Sequence, residues 1–338
     1  MTDHANKPAV AITIGDPAGV GPEIVVKAVA KEEVNRACHP WIVGDLPVLE
    51  RAAKITGVPL QFRACPPDAE GQEPGAVCVL DTQSGGEKAA FGRVSAEGGQ
   101  AAYVAIQRAV ELCLRGDAVA LATAPINKEA LRKAGVPYLD HTEALMGLTG
   151  ARSALTLFAT GTLRVFFLTR HLPFREIAAH ITQANVVAYT QDCERQMRQL
   201  GFPNPRLAIA ALNPHGGEHG LFGDEEMREI VPAVEALRGQ GFDVHGPIPA
   251  DSVFHLAHQG AYDAVISLYH DQGHIATKTL DFYRTVSLTL GLPFLRTSVD
   301  HGTAFDIAGT GQANEVSMVE AILAAAAYGP RWRSEREA

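Results

Sequence analysis

Short apolar runs alternate with segments of helical periodicity along most of the chain. Strands are predicted at residues 9–14, 41–45 and 118–123, and helices at residues 98–115 and 315–327. Gly116 follows the first of these helices and Gly329-Pro330 the second, and both are typical helix stops. This alternation predicts α/β layers in which most strands are parallel.

Three of the apolar runs end in a histidine, at His171, His215 and His270. Buried parallel strands present polar groups at their carboxyl ends, so these three imidazoles could meet around one point. Three imidazoles with open positions would form a catalytic metal site. The intervals between the histidines are too long for a zinc-finger spacing, so only the fold could bring them together. The alternative is that each is a hydrogen-bonded structural residue.

The first predicted strand leads into a glycine-rich loop, residues 15–23. Its glycines allow close backbone approach, Pro22 suits the first helical position and Glu23 suits the positive helix end. Gly19 and Gly21 give only half of a dinucleotide fingerprint, since Ile24 occupies the third glycine position. A tight strand-to-helix turn explains the same spacing.

A polar cluster opens an apolar helix near residue 141. His141 and Thr142 at a helix N-terminus would present amides, an imidazole and a hydroxyl to an anion such as phosphate. Alternatively, Asp140 or Thr142 is simply the N-cap.

Several charged residues lie near the histidine-bearing segments. Lys278 and Arg296 could hold a phosphate or carboxylate, or could be ordinary surface cations. Asp251 is either a helix cap or a site carboxylate. Asp271 and Glu218 could orient an imidazole from behind, or be solvated loop acids.

Composition excludes several classes of function. The 338 residues are 46% hydrophobic with a net charge of -9, which allows a full core but supplies no basic excess for nucleic acid or acidic membranes. The five cysteines form no C-x-x-C pair, so neither a disulfide framework nor a thiolate metal site is expected. The sequence has no signal-peptide layout and no apolar run long enough to span a membrane. We expect a cytoplasmic protein with no nucleic-acid or membrane partner.

Together these motifs resemble the 4-hydroxythreonine-4-phosphate dehydrogenase family of pyridoxal phosphate biosynthesis. The resemblance covers nearly the whole chain and is carried by residues 15–23, 141–143, 213–215, 269–273 and 296–304. It implies the two-domain α/β/α fold of isocitrate and isopropylmalate dehydrogenases, and a homodimer with the site at the interface. It also implies oxidation by NAD(P), assisted by one divalent metal ion (Zn, Mg, Co or Mn), of 4-hydroxythreonine 4-phosphate to a β-keto acid that then decarboxylates.

The resemblance assigns roles to individual residues. By this correspondence the metal ligands are His171, His215 and His270, and the substrate-binding residues are His141, Thr142, Lys278, Ser287 and Arg296. The adenine-side cofactor loop corresponds to Asp300, His301, Gly302, Thr303 and Ala304. We place the first domain at residues 1–130 plus 300–338 and the second at 131–299, with the active site in the cleft between them. The general base is left open between Lys278, Asp251 and a metal-bound hydroxide.

The chain departs from the biosynthetic pattern at three positions. Asp140 stands where glycine is usual, Ser287 stands where a substrate-binding asparagine is usual, and His274 replaces an apolar residue. These features resemble a branch that oxidises D-threonate or D-erythronate 4-phosphate, whose C2 carries a hydroxyl instead of an amine. Two further hypotheses stay open, a phosphotransacetylase-like acyl transferase with the same fold, and a protein that binds metal or ligand without catalysis.

Overall fold

The computed structural model describes residues 7–65 and 76–334. The strands are β1 (Ala9–Thr13), β2 (His39–Gly44), β3 (Gln61–Ala64), β4 (Ala76–Asp81), β5 (Ala120–Thr123), β6 (Leu155–Thr160), β7 (Leu163–Phe167), β8 (Leu207–Ala210), β9 (Val244–Ile248), β10 (Ala264–Ser267), β11 (Val286–Leu290) and β12 (Leu295–Val299). The helices are α1 (Gly21–Val29), α2 (Glu32–Ala37), α3 (Leu46–Thr56), α4 (Ala96–Arg115), α5 (Lys128–Lys133), α6 (His141–Thr149), α7 (Ile177–His180), α8 (Gln183–Gln199), α9 (Val231–Gly239), α10 (Ala250–His258), α11 (His270–Leu280) and α12 (Val316–Ser334).

The chain forms two α/β units. One runs to Ala154 and resumes at Val286, and the other is Leu155–Thr285. In the first unit the strand order is β3-β4-β2-β1-β5-β12-β11. All neighbouring pairs in it are parallel except β11 with β12. Its core includes the fully buried side chains of Ile106 and Leu121. The prediction of an α/β fold with mainly parallel strands is confirmed.

The second unit is a smaller sheet in the order β6-β7-β10-β8-β9. Strand β6 is antiparallel to β7, whereas β7, β10, β8 and β9 run parallel. Side chains on one face, including Val165, Ala208 and Val265, pack with Val253 of α10 to form its core. Apolar residues dominate these central strands because helices cover the sheet, which is the usual pattern for buried parallel strands.

The unit boundaries differ from those placed at residues 130 and 299. Strand β12 pairs in register with β5, Leu295 opposite Ala120, and therefore belongs to the first unit together with β11. Leu145 of α6 is fully buried in the same core. The segments 131–154 and 286–299 are therefore part of the first unit, since side-chain packing and sheet register hold them there.

The predicted end of the last helix is wrong. Helix α12 does not stop at Gly329-Pro330 but continues to Ser334. Trp332 in its last turn is buried and its indole N–H donates to the carbonyl of Leu292 at 3.3 Å, so packing offsets the backbone hydrogen bond that Pro330 lacks. No disulfide framework was predicted, and within the described residues a single pair of cysteine sulfurs, Cys65 and Cys78 on the adjacent strands β3 and β4, lies within bonding distance.

Candidate functional site

The three predicted metal ligands all lie in the second unit, at the carboxyl ends of three neighbouring parallel strands. His171 follows β7, His270 follows β10 and His215 follows β8, with β10 hydrogen-bonded between the other two. Parallel strands end at the same edge of a sheet, so this order brings the three histidine-bearing segments to one edge. The strand placement predicted from the apolar runs is confirmed.

His171 and His270 are the closest pair of the three. Their ring centroids lie 6.0 Å apart at an interplanar angle of 42°. Two imidazoles on one tetrahedral zinc ion would have centroids about 5 Å apart, given the usual Zn–N distance. His270 Nδ1 is 2.7 Å from Oδ1 of Asp271, which leaves Nε2 as the ligating nitrogen. The two rings supply nitrogen donors that suit a divalent cation, at a separation longer than that of two rings on one zinc ion.

His215 occupies a different kind of segment. Residues 215–219 all have positive φ, between 45° and 78°, and three of the five are not glycine. In the part of the chain that the structure describes, no group of three His, Cys, Asp or Glu side chains has the arrangement of a complete metal site. The structure thus pairs His171 with His270, and it places His215 on the neighbouring strand end without joining it to that pair.

Gln272 joins the His270 segment to the His215 segment. Its side-chain oxygen accepts from the amide of Leu268 at 2.7 Å, and its side-chain nitrogen donates to the carbonyl of Ala211 at 2.8 Å. Leu268 is the residue after β10, and Ala211 is the residue after β8. Gln272 is buried, so these hydrogen bonds fix the two strand ends relative to each other. Gln272 was not predicted, although it lies only two residues after the ligand candidate His270.

His274 adds a fourth imidazole to this edge. Its ring stacks on Phe167 with centroids 4.6 Å apart, meets Phe158 edge-on at 4.3 Å and lies 4.2 Å from the ring of His270. Burial, then the neighbouring charges of His270 and Lys278, lower the pKa of His274 to about 4. His274 is therefore a neutral ring beside the predicted ligand His270.

Helix α11 carries three of the candidate residues on one face, since His270, His274 and Lys278 are spaced four residues apart. The Lys278 ammonium lies 5.4 Å from the centroid of the Phe282 ring. Asp251 is the second residue of α10, is exposed, and accepts a hydrogen bond from Ser252 Oγ at 3.1 Å. The N-cap of α10 is Pro249, so Asp251 is not the helix cap.

The first unit contains a buried cation with neutral partners. Arg296 in β12 donates to Thr123 Oγ1 at 2.8 and 3.0 Å and to Thr289 Oγ1 at 3.0 Å. Its side chain is 6% exposed, and burial lowers the pKa of the guanidinium to about 10, with the charge of Asp140 opposing the shift. A buried guanidinium hydrogen-bonded to hydroxyls is suited to an anionic ligand. Arg296 is not the ordinary surface cation that was the alternative.

The N-terminus of α6 lies near this arginine. Asp140 is the N-cap of α6, and its side chain accepts a hydrogen bond from the amide of Glu143 at 3.1 Å. Of the two residues proposed as the helix cap, the structure therefore selects Asp140 and not Thr142. Burial, followed by the charge of Arg296, lowers the pKa of His141 well below its ordinary value. His141 Nε2 is buried with no hydrogen-bond partner within the described residues. An unpartnered imidazole nitrogen beside a buried guanidinium fits the predicted anion site.

The predicted cofactor loop, Asp300–Ala304, follows β12 and is braced by the glycine-rich loop after β1. The amide of Val20 donates to the carbonyl of Thr303 at 2.9 Å. A Cβ on Gly19 would lie 2.8 Å from both Cβ and O of Thr303, so only glycine permits this approach. The loop 15–23 is thus more than a tight turn, because it supports residues 300–304.

The segment after the cofactor loop is held by α1. Glu23 is buried and its two oxygens accept from the amides of Gly309 at 2.6 Å and Gly311 at 2.7 Å. Lys27, one turn later, donates to the carbonyls of Gly311 and Ala313. These contacts were not predicted, although an acid and a lysine four residues apart on an apolar helix hint at buried partners.

The remaining predicted residue, Ser287, lies in β11. It is 9% exposed and faces Ser298 across the antiparallel pair with β12. No helix within residues 7–65 and 76–334 combines the length and apolar character needed to cross a membrane.

Comparison with known proteins defines the family. Residues 36–325 match the family described as pyridoxal phosphate biosynthetic protein PdxA. The chain belongs to this family.

Full-length relatives carry two different names. A protein of Clostridium botulinum provisionally named D-threonate 4-phosphate dehydrogenase is 50% identical over 97% of this chain and 99% of its own. A protein of Symbiobacterium thermophilum with the same provisional name is 51% identical over 98% of this chain and 99% of its own. A solved structure of 4-hydroxythreonine-4-phosphate dehydrogenase from Klebsiella pneumoniae is 42% identical, with a TM-score of 0.85 over 94% of this chain and 98% of that one.

The fold also extends to an acyl-transferring protein. A branched-chain phosphotransacylase from Enterococcus faecalis aligns over 94% of this chain and 99% of its own with a TM-score of 0.51, at 14% identity. At that identity the likeness concerns the fold alone.

Proposed function

We propose that the protein is an NAD(P)-dependent, metal-assisted dehydrogenase that oxidises a phosphorylated hydroxy acid to a β-keto acid, which then loses CO2. The substrate we favour is D-threonate or D-erythronate 4-phosphate. Support for D-threonate 4-phosphate comes from relatives at 50% and 51% identity whose provisional name gives that substrate. The second candidate is 4-hydroxythreonine 4-phosphate, the substrate named for solved structures at 41% and 42% identity.

The observation that carries the proposal is the buried Arg296 in the first unit. Its hydrogen bonds go to threonine hydroxyls, so a phosphate dianion would supply the balancing charge. The unpartnered Nε2 of His141 and the hydroxyl of Thr142 at the start of α6 would complete the phosphate contacts. Binding of this remote group orients the reacting carbon.

The second unit would hold the cation through Nε2 of His270 and the imidazoles of His171 and His215. A divalent ion there supplies Lewis-acid stabilisation of negative charge on the substrate oxygen during oxidation and decarboxylation. Neutral imidazoles are the required form, and the carboxylate of Asp271 on Nδ1 of His270 fixes the tautomer that ligates. The ions we propose for this site are Zn, Mg, Co and Mn.

Lys278 is the general base in this proposal. It shares a helix face with His270, whereas Asp251 is exposed and hydrogen-bonded to Ser252. In its uncharged form, Lys278 Nζ would accept the proton of the C3 hydroxyl, and a nicotinamide held at its adenine side by the Asp300–Ala304 loop would take the C3 hydride. The ammonium so formed would return that proton to the carbon that has lost CO2.

Three residues would distinguish the C2 hydroxyl of a sugar acid from the C2 amine of an amino acid. They are Asp140, which caps α6, Ser287 in β11, and His274 beside His270. A short serine hydroxyl and a neutral imidazole can both donate to a hydroxyl oxygen, whereas an ammonium has no acceptor to offer.

We also propose a cytoplasmic homodimer with the site at the subunit interface, as the family resemblance implies. Helix α11 and the residues after it expose Ile275, Phe282 and Tyr283, which are 57% to 66% accessible. Light scattering should then give twice the chain mass of 36.0 kDa.

The deciding experiment offers D-threonate 4-phosphate, D-erythronate 4-phosphate and 4-hydroxy-L-threonine 4-phosphate in parallel to metal-loaded protein, with NAD and with NADP. We expect reduced nicotinamide with the sugar acids and at least tenfold lower kcat/KM with the amino acid. The reverse order would favour the second candidate. No reaction with any of the three would overturn the proposal.

A further inference from the structure

We propose that Glu226 is the positioning residue that sets the His215 segment for metal binding. The inference rests on the proposed function, because it takes His215 as a metal ligand. Glu226 opens a π-helical turn, Glu226–Ile230, immediately before α9, and it is 1% exposed. A π turn is a rare local structure that frequently accompanies functional sites.

The backbone around His215 is not one that its residues would adopt unaided. Five successive residues, 215–219, are in the left-handed region, including the non-glycine residues His215, Glu218 and His219. A non-glycine residue in this region is strained, because its Cβ approaches the following carbonyl oxygen. Such a run persists only when its surroundings determine it.

The carboxylate of Glu226 makes the hydrogen bonds that hold the residues before this run in place. Oε1 accepts from the amides of Leu212 at 2.8 Å and Asn213 at 2.7 Å, and Oε2 accepts from Asn213 Nδ2 at 2.9 Å. These donors occupy the two positions that precede Pro214 and His215. A charged acceptor shared by three donors forms stronger hydrogen bonds than a neutral one. The carboxylate therefore fixes the direction in which the chain enters the left-handed run.

Two glycines allow the close fit around this carboxylate. A Cβ on Gly217 would lie 2.8 Å from Glu226 Oε2 and 2.7 Å from the carbonyl oxygen of Gly223. A Cβ on Gly223 would lie 2.4 Å from Asn213 Nδ2. Both glycines also have positive φ. The loop, the amide of Asn213 and the carboxylate of Glu226 thus form one interlocked unit.

Replacing Glu226 should change the affinity of the protein for the metal ion, because Glu226 acts through the His215 segment and takes no part in bond-making. In Glu226→Gln one carboxylate oxygen becomes an NH2 group, which must face either the two backbone amides or the amide of Asn213, and both are donors. The orientation of His215 should loosen while the strands and helices persist. Residues that orient metal ligands typically change metal affinity 10-fold to 100-fold when replaced.

The test measures the binding of Zn2+ and Co2+ to full-length protein by competition with a chromophoric chelator, together with the absorption spectrum of the Co2+ form. The matched control is Glu229→Gln, because Glu229 lies in the same π turn but accepts from the amide of Gln183 at 2.8 Å. We expect wild type and Glu229→Gln to bind equally, Glu226→Gln to bind 10-fold to 100-fold more weakly with an altered Co2+ spectrum, and His215→Ala to bind at least as weakly.

The outcomes separate the two claims. If His215→Ala binds metal like wild type, the metal assignment itself fails. If His215→Ala weakens binding but Glu226→Gln matches Glu229→Gln, the positioning role is wrong and the metal site stands. Should Glu226→Gln not fold, Gly217→Ala disturbs the same carboxylate from the other side, and wild-type affinity in that variant would overturn the proposal.

Discussion

His270 and Asp271 form a hydrogen bond of 2.7 Å between Nδ1 and Oδ1 at the first turn of α11. The contact occupies Nδ1 of the imidazole and leaves Nε2 for a ligand. The arrangement is that of a carboxylate that holds a metal-ligating histidine from behind.

Asp271→Asn should therefore lower the affinity for Zn2+ about 10-fold to 100-fold without unfolding the protein. An asparagine can present its amide group to Nδ1, which favours the wrong tautomer. Chelator competition checks the affinity, and Asp281→Asn, at the C-terminal end of the same helix, is the control. Equal affinity for Zn2+ in wild type and Asp271→Asn would contradict the role of Asp271 in orienting His270.

The pair Thr123 and Arg296 gives a prediction for phosphate binding. Thr123→Val removes the hydroxyl that accepts two of the three hydrogen bonds from Arg296, so the guanidinium should lose its fixed direction. We expect KM for the phosphorylated substrate to rise about tenfold or more. Steady-state kinetics with the phosphorylated substrate provide the measurement.

Thr13→Val is a close control, because Thr13 is buried opposite Thr123 on β1, and its hydroxyl has no hydrogen-bond partner among the residues described. It should leave KM unchanged. A KM that does not move in Thr123→Val, or that moves equally in both variants, would contradict the assignment of this cluster to phosphate.

Glu23 gives a prediction for the cofactor. Glu23→Gln replaces a buried carboxylate that accepts from the amides of Gly309 and Gly311, at a cost of about 1–3 kcal/mol in the free energy of unfolding. We expect KM for the nicotinamide cofactor to rise severalfold, with KM for the phosphorylated substrate unchanged. The exposed acid in Glu33→Gln is the control. A rise in both KM values together would point to general destabilisation.

Asp16 gives a prediction for pH dependence. It is buried in the loop after β1, and burial raises its pKa to about 6, with the hydrogen bond from the amide of Ala18 opposing the shift. The folded protein then holds a proton that the unfolded chain releases near pH 3.8. The stability contributed by this group is present below that pH and is lost as the pH rises through about 6, by at most about 3 kcal/mol.

Urea unfolding of wild type and Asp16→Asn at pH 4.5 and pH 7.5 isolates this effect, since the other titrating groups are common to both proteins. The free energy of unfolding of Asp16→Asn should improve relative to wild type as the pH rises. A difference between the two proteins that is the same at both pH values would show that Asp16 does not titrate in this window.

The positions of the histidine-bearing segments could be predicted because apolar runs mark buried strands and polar residues mark their carboxyl ends. His171, His215 and His270 were placed correctly at strand ends for this reason. The conformation of residues 215–219 could not be predicted, because positive φ is unusual for non-glycine residues and the segment is flanked by hydrogen bonds to Glu226, eleven positions after His215.

Contacts between strands distant in the sequence could not be predicted either. The hydrogen bonds between Arg296 and Thr123 depend on the pairing of β5 with β12, two strands separated by more than half of the chain. The extension of α12 past Pro330 depends on the burial of Trp332. Both features depend on tertiary packing, which local sequence patterns do not report.

The most direct test of the account is the metal dependence of coupled oxidation and decarboxylation. Metal-stripped protein should form neither reduced nicotinamide nor CO2 from D-threonate 4-phosphate, and added Zn2+, Co2+, Mg2+ or Mn2+ should restore both in a one-to-one ratio. Reduced nicotinamide formed at full rate without metal would contradict it. So would acyl phosphate formed from acyl-CoA and phosphate by the stripped protein, which would favour the acyl transferase instead.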